Sequence, residues 1–181
     1  GLLLSHGGTF AIPGIAVTNG LKLAIAERGG KLGGRDVEFV MVDDESNPSK
    51  AAENTQKLVN RDKVDFLVGP VHSGGAMGMI RVIRDTDTVS IIPNAGFNAA
   101  TRSMCAKHLF RTSFSNWQVN APMGKVAVDR GYKNVVTLTW KYAAGEEMIA
   151  VFTERYTKEG GGSAAGIDSP VPESGISGSS H

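Results

Sequence analysis

Adjacent carboxylates, a histidine beside a serine, and a serine leading two glycines are the residues of this chain whose types and spacing could do chemistry. Asp43-Asp44 could hold a hard divalent cation or serve in phosphoryl transfer. A receiver-type domain, however, places its acidic pair after the first strand and its acceptor Asp after the third. Here those places hold Ser5-His6 and Gly69-Pro70. A strand-end turn with a carboxylate near the next helix accounts for the pair more simply. His72 beside Ser73 could be base and nucleophile, but no G-x-S-x-G elbow surrounds them. His6, His72, His108 and His181 do not fall at metal-ligand spacing, and Cys105 reads as a small buried apolar residue rather than a reactive thiol. No metal site is expected. Gly7-Gly8-Thr9-Phe10-Ala11-Ile12 breaks the dinucleotide-binding spacing and no glycine-lysine-hydroxyl triplet occurs, so no nucleotide cofactor is expected either.

What remains is recognition. Ser73-Gly74-Gly75 follows an apolar run and opens a helical pattern, so its backbone N–H groups would face a strand-end crevice and could receive a carboxylate. Ser73 stands where an N-cap would sit and adds a hydroxyl donor; a plain cap without a ligand explains it equally well. Asn94, Ala95 and Gly96 offer backbone donors and acceptors plus one amide. Phe10, Phe97 and Tyr142 could wall an organic ligand or serve packing alone.

Those residues lie on loops, and the elements that must position them alternate short apolar runs with helical patterns. Strands are expected at Leu2–Leu4, Asp36–Val42, Val64–Val68, Val89–Ile92 and Val135–Trp140, with a further short one at Leu109-Phe110. Helices are expected around Val17–Ile25, from Asn47-Pro48, over Ala76–Arg84, over Asn116–Arg130 and over Glu146–Lys158. The fold class is α/β, a parallel sheet with helices on both faces. On such sheets ligands bind outside the carboxyl ends of the strands. Net charge +1 gives no footprint for nucleic acid, and the single cysteine excludes an internal disulfide. Gly1-Leu2-Leu3-Leu4 is too short for a secretory h-region, so the chain is read as mature or trimmed, without its signal peptide. Residues 160–181, with six Gly, six Ser and no aromatic, are expected to be a weakly ordered tail ending in a tag remnant.

The order of several short motifs resembles the branched-chain amino-acid-type substrate-binding proteins of ABC importers. These are Asn19-Gly20-Leu21, Gly29-Gly30 with Leu32-Gly33-Gly34, Asp43-Asp44 before Asn47-Pro48, Val68-Gly69-Pro70, Ile92-Pro93-Asn94-Ala95, Phe110-Arg111-Thr112-Ser113 and Tyr142-Ala143-Ala144-Gly145. The resemblance runs to about Glu173. It implies a type I periplasmic-binding lobe with the flavodoxin-like strand order 2-1-3-4-5, a periplasmic parent protein, an ABC permease as partner, and a small carboxylate-bearing ligand: amino acid, aromatic acid or amide. Carried over residue by residue, it implies carboxylate contacts at Ser73, Gly74, Asn94, Ala95 and Gly96, with Gly8, Thr9 and Phe10 after the first strand and Tyr142 and Ala144 on the second lobe.

Family members are longer and cross between lobes three times. The first crossing would fall near Thr112-Ser113-Phe114, which sets residues 1–114 as the first lobe and 115–159 as the start of the second. The chain is therefore read as a truncated fragment with impaired binding. Its Val135 strand could instead complete a single five-stranded sheet, or elements could be exchanged in a homodimer. The alternatives from other classes are a flavodoxin-like intracellular enzyme, a receiver-like signalling domain, and the ligand-sensing domain of a receptor.

Overall fold

A computed structural model describes residues 1–171. Its main sheet has five parallel strands in the order β4-β1-β5-β6-β7, formed by β1 (Leu2–Leu4), β4 (Met41–Asp43), β5 (Phe66–Val68), β6 (Val89–Ile92) and β7 (Leu109–Arg111). Counted within this sheet, that is the expected order 2-1-3-4-5. The fifth strand is β7, so the Val135 strand does not complete the sheet. β8 (Asn134–Trp140) instead pairs in parallel with β9 (Ser163–Ser169) in a separate sheet.

Alternation along β1 divides the core. Leu3 packs on one face with Leu58, Leu67, Met79, Ile80 and Ile83, under α2 (Pro48–Gln56) and α3 (Ser73–Ile83). Leu2 and Leu4 pack on the other with Val71, Val17 and Leu21, the last two on α1 (Ala11–Ala26). The α2 start follows its sequence signature, with Asn47 Oδ1 accepting from the Ser49 N–H and Pro48 at the first helical position. The extended stretch expected over Asp36–Val42 is interrupted. Lys31–Leu32 (β2) and Arg35–Asp36 (β3) pair as a small hairpin around Gly33-Gly34, and only Met41–Asp43 joins β1.

Two helices follow the main sheet in sequence. α4 (Asn116–Asp129) opens with a capping box in which Ser115 and Gln118 exchange side-chain and backbone bonds. α5 (Ala143–Lys158) connects β8 to β9. The α4–α5 approach is close at Gly124, where a Cβ would press on Phe152 O and Tyr156 N. Tyr156 is fully buried; its hydroxyl donates to Tyr132 O at 2.8 Å and accepts from the Gly162 N–H at 3.1 Å. That bond leads the chain into β9, so residues 163–169, expected to be part of a weakly ordered tail, are a paired strand. Residues 172–181, including the tag-like end, lie outside the described residues. On β8, Val136, Leu138 and Trp140 alternate on an exposed face.

Leu3→Ala should lower unfolding stability by about 2–5 kcal/mol, since it removes fully buried atoms from the centre of the sheet. Urea denaturation measures this, and an unchanged midpoint would show that β1 is not held as described.

Candidate functional site

The loops that follow β1, β4, β5, β6 and β8 carry the residues named from sequence, and most of them meet. Asp43 and Asp44 act as ties between loops. Asp44 Oδ1 accepts from Ser5 Oγ at 2.6 Å and from the Ser46 N–H at 2.9 Å, while Asp43 Oδ1 accepts from the N–H groups of His6 and Glu45. Burial raises the Asp43 carboxyl, but the backbone N–H bonds from His6, Glu45 and Gly7 outweigh it and hold it below its ordinary range. Ser46 Oγ donates to Gly7 O and accepts from the Phe10 N–H, which fixes the loop that carries the Phe10 ring.

α3 begins three residues before the expected Ala76, because its cap is His72 and not Ser73. His72 Nδ1 accepts from the Gly75 N–H at 3.1 Å. Ser73 is thereby the first helical residue, 2% exposed, with its Oγ accepting from Asn116 Nδ2 at 3.2 Å. That bond leaves the Ser73 hydroxyl hydrogen to donate elsewhere. Gly74 turns toward α2, where a Cβ would touch Pro48, and lines a groove of about 700 Å³ between α2 and α3.

After β6, Asn94 Nδ2 donates to Val71 O at 2.7 Å and the Ala95 N–H donates to Pro70 O, binding two neighbouring loops together. Gly96 O accepts from the Asn116 N–H at 2.7 Å, an approach that leaves no room for a Cβ beside Asn116 Oδ1. The Phe97 ring packs with Leu3, Met79 and Leu109 in the core, together with Ala95. The structure therefore turns this ring toward the core and away from the other two rings named from sequence.

Four other rings form a run. Phe10 stacks on His72 at 5.1 Å and 18°, Tyr142 stacks on Phe10 at 5.9 Å and 29°, and Trp140 lies 6.4 Å beyond Tyr142. Burial pushes the Tyr142 phenol above its ordinary value. Ala144 is buried in the first turn of α5.

Three polar residues of the site were not singled out from sequence. Asn116 is 1% exposed and donates from Nδ2 both to Ser73 Oγ and to Glu147 Oε2, the latter at 2.7 Å. Glu147, on α5, also accepts from the Asn98 N–H at 3.0 and 3.2 Å. Asn98 Oδ1 in turn accepts from the Trp117 N–H. The one local signal was the Ser115-x-x-Gln118 box, which places Asn116 at the first turn of a helix. Glu147 had none, because its partners lie 31 and 49 positions away.

The family model for periplasmic binding protein matches residues 1–178. The chain is 30% identical over 174 residues to Leu/Ile/Val-binding protein homolog 6 of Brucella abortus (strain 2308), an alignment covering 94% of this chain and 44% of that protein. A solute binding protein of an ABC transporter from R. palustris, solved in complex with benzoate, superposes with a TM-score of 0.88. It shares 48% identity, over 94% of this chain and 48% of that one. A second, from Rhodopseudomonas palustris BisB5 in complex with 3,4-dihydroxybenzoic acid, gives 0.83 at 29% identity over 93% and 46%. The substrate binding protein LivJ of Streptococcus pneumoniae, in complex with isoleucine, gives 0.76 at 26% over 94% and 49%. The chain spans about half the length of the relatives it matches. A five-stranded lobe of order 2-1-3-4-5, an α3 amino end facing stacked rings, and a match along nearly the whole chain agree: this chain belongs to the periplasmic binding protein family.

Proposed function

We propose that this chain carries part of the solute-binding component of an ABC importer and captures a small aromatic carboxylate between two lobes in the periplasm, for delivery to a membrane permease. Residues 1–114 form the first lobe and residue 115 onward opens the second. The observation that carries the reading is the ring run Phe10–Tyr142–Trp140, which meets the amino end of α3 where Phe10 stacks on its cap residue His72, next in sequence to Ser73. The Phe10 and Tyr142 rings stack at 5.9 Å, so a flat acid that parted them would gain an apolar face on each side. Its carboxylate meets donors that tolerate negative charge without a cation. The benzoate and dihydroxybenzoate complexes of the related proteins support an aromatic acid.

Capture works by closure rather than by covalent chemistry. Phe10 and the α3 end belong to the first lobe, whereas Tyr142 and Glu147 belong to the second, so a ligand touching both favours the closed arrangement. Glu147 already joins them through Asn98 and Asn116. One observation favours a second ligand class: a released Glu147 would offer a carboxylate to the ammonium of an aliphatic amino acid, the class named in the isoleucine complex of LivJ.

Thermal melts and calorimetry with benzoate, 4-hydroxybenzoate, leucine and isoleucine separate these readings, because a ligand specific to the folded state raises its stability. Benzoate should raise the midpoint; a rise with leucine alone would assign the amino-acid class, and no rise with any of them would overturn capture by this chain. Ser73→Ala should weaken benzoate binding by about 1–2 kcal/mol with a smaller effect on the melt of the free protein, and equal affinity would remove Ser73 from the site. Glu147→Ala should speed hydrogen exchange at the Asn98 amide by about tenfold, and unchanged exchange would show that the bridge between lobes does not form in solution.

A further inference from the structure

His72 and Asp44 hold two polar atoms that the binding reading leaves unused. Asp44 is fully buried and His72 is 6% exposed, yet among the described residues Asp44 Oδ2 and His72 Nε2 each lack a hydrogen-bond partner, and they face one another across 4.0 Å. Buried polar groups are seldom left so, because an unmade hydrogen bond there is costly. The other atoms of both side chains are engaged. Asp44 Oδ1 takes the Ser5 hydroxyl and the Ser46 N–H, and His72 Nδ1 takes the Gly75 N–H.

The Gly75 bond decides where the imidazole hydrogen lies. An N–H that donates to Nδ1 needs a lone pair there, so the neutral ring carries its hydrogen on Nε2, aimed at Asp44 Oδ2. Addition of a second proton on Nδ1 would set donor against donor at 3.1 Å. The cap of α3 would then be lost, and a positive charge would stand at a helix amino end, where the backbone dipole disfavours it. The Phe10 ring, stacked on this imidazole, would lose its support at the same time.

We propose that His72 is a proton-sensitive positioning residue of the ligand crevice. As the neutral Nε2–H form it fixes the amino end of α3 and the Phe10 wall, and on protonation it releases both, so that ligand is held near neutral pH and let go in mild acid. The consequence for ligand rests on the proposed capture of a carboxylate; the structural switch does not. Burial lowers the basicity of the ring below its ordinary 6.5, and the Asp44 charge opposes that shift in part. A ring so depressed contributes stability that is present above about pH 6.5 and is lost as pH falls through the folded value. The other titratable groups nearby are turned elsewhere or stand further off. Asp43 binds the His6 and Glu45 N–H groups, Glu45 pairs with Lys50, His6 binds Thr18, and Tyr142 lies beyond Phe10.

The test follows the histidine ring nitrogens of the ¹⁵N-labelled chain from about pH 8 to pH 5, with the Gly75 amide observed in the same samples. That range stays above the ordinary titration of a carboxylic acid near pH 4, so benzoate remains ionised. His72 is assigned by the signals missing from His72→Asn, whose side chain caps a helix without titrating. The expected result is the Nε2–H tautomer at pH 7.5. As the ring takes its second proton, Gly75 amide exchange should rise by about tenfold and benzoate affinity should fall by about tenfold with the same midpoint. His72→Asn should bind benzoate with an affinity that is flat across the range. An Nδ1–H tautomer at pH 7.5, or ring protonation that leaves the Gly75 amide undisturbed, would overturn the role of His72. Failure of the unaltered chain to bind benzoate at pH 7.5 would overturn the capture reading instead, with the ring and Gly75 signals still deciding the switch.

Discussion

Leu2, Leu3 and Leu4 lie between two parallel neighbours, β4 on one side and β5 on the other, almost sealed from water. Parallel strands cannot be joined by hairpins, so each return of the chain crosses a face of the sheet. Those crossings here are α1 on one face and α2 and α3 on the other, which is why Leu3 and its two neighbours in β1 belong to different halves of the core. The same constraint gathers the strand ends, and with them the loops of residues 5–10, 43–47, 69–73 and 93–98, along one edge.

Loops gathered in that way bring backbone polar groups out of water, and these need partners. Two side-chain hubs supply them. Asp44 joins the loops after β1 and β4 through Ser5 and Ser46. Asn116 joins the loop after β6, the start of α3 and α5 through Gly96, Ser73 and Glu147. Ring stacking of Phe10 on His72 and of Tyr142 on Phe10 then links the loops after β1, β5 and β8.

The regular elements of the main sheet were legible because their signals are local. Apolar runs and Asn47-Pro48 each act within a few residues. Ser73, Phe10 and Tyr142 were legible as residues of the strand-end loops for the same reason: they follow strands. Phe97, expected at the crevice, packs with the core under α3, because a ring after a strand has two directions to turn, while Cys105, expected to be buried, is exposed. β9 was missed because Ser-Ala-Ala-Gly-Ile-Asp-Ser has no strand-like composition; it is set by backbone pairing with β8 and by the Tyr156 hydroxyl that leads into it. Glu147 and the Asp44–His72 encounter depend on contacts between distant loops, which no local pattern encodes.

Gly124 sets the spacing of α4 against α5 at Phe152 and Tyr156, roughly two turns along the helix from Glu147. A helix behaves as a stiff rod over that distance, so any side chain at Gly124 would tilt α5 and carry Glu147 and the Tyr142 end with it. A substitution at Gly124 would thereby reach both residues without changing either of them. A buried crossing can thus retune a distant strand end while every residue at that end stays the same.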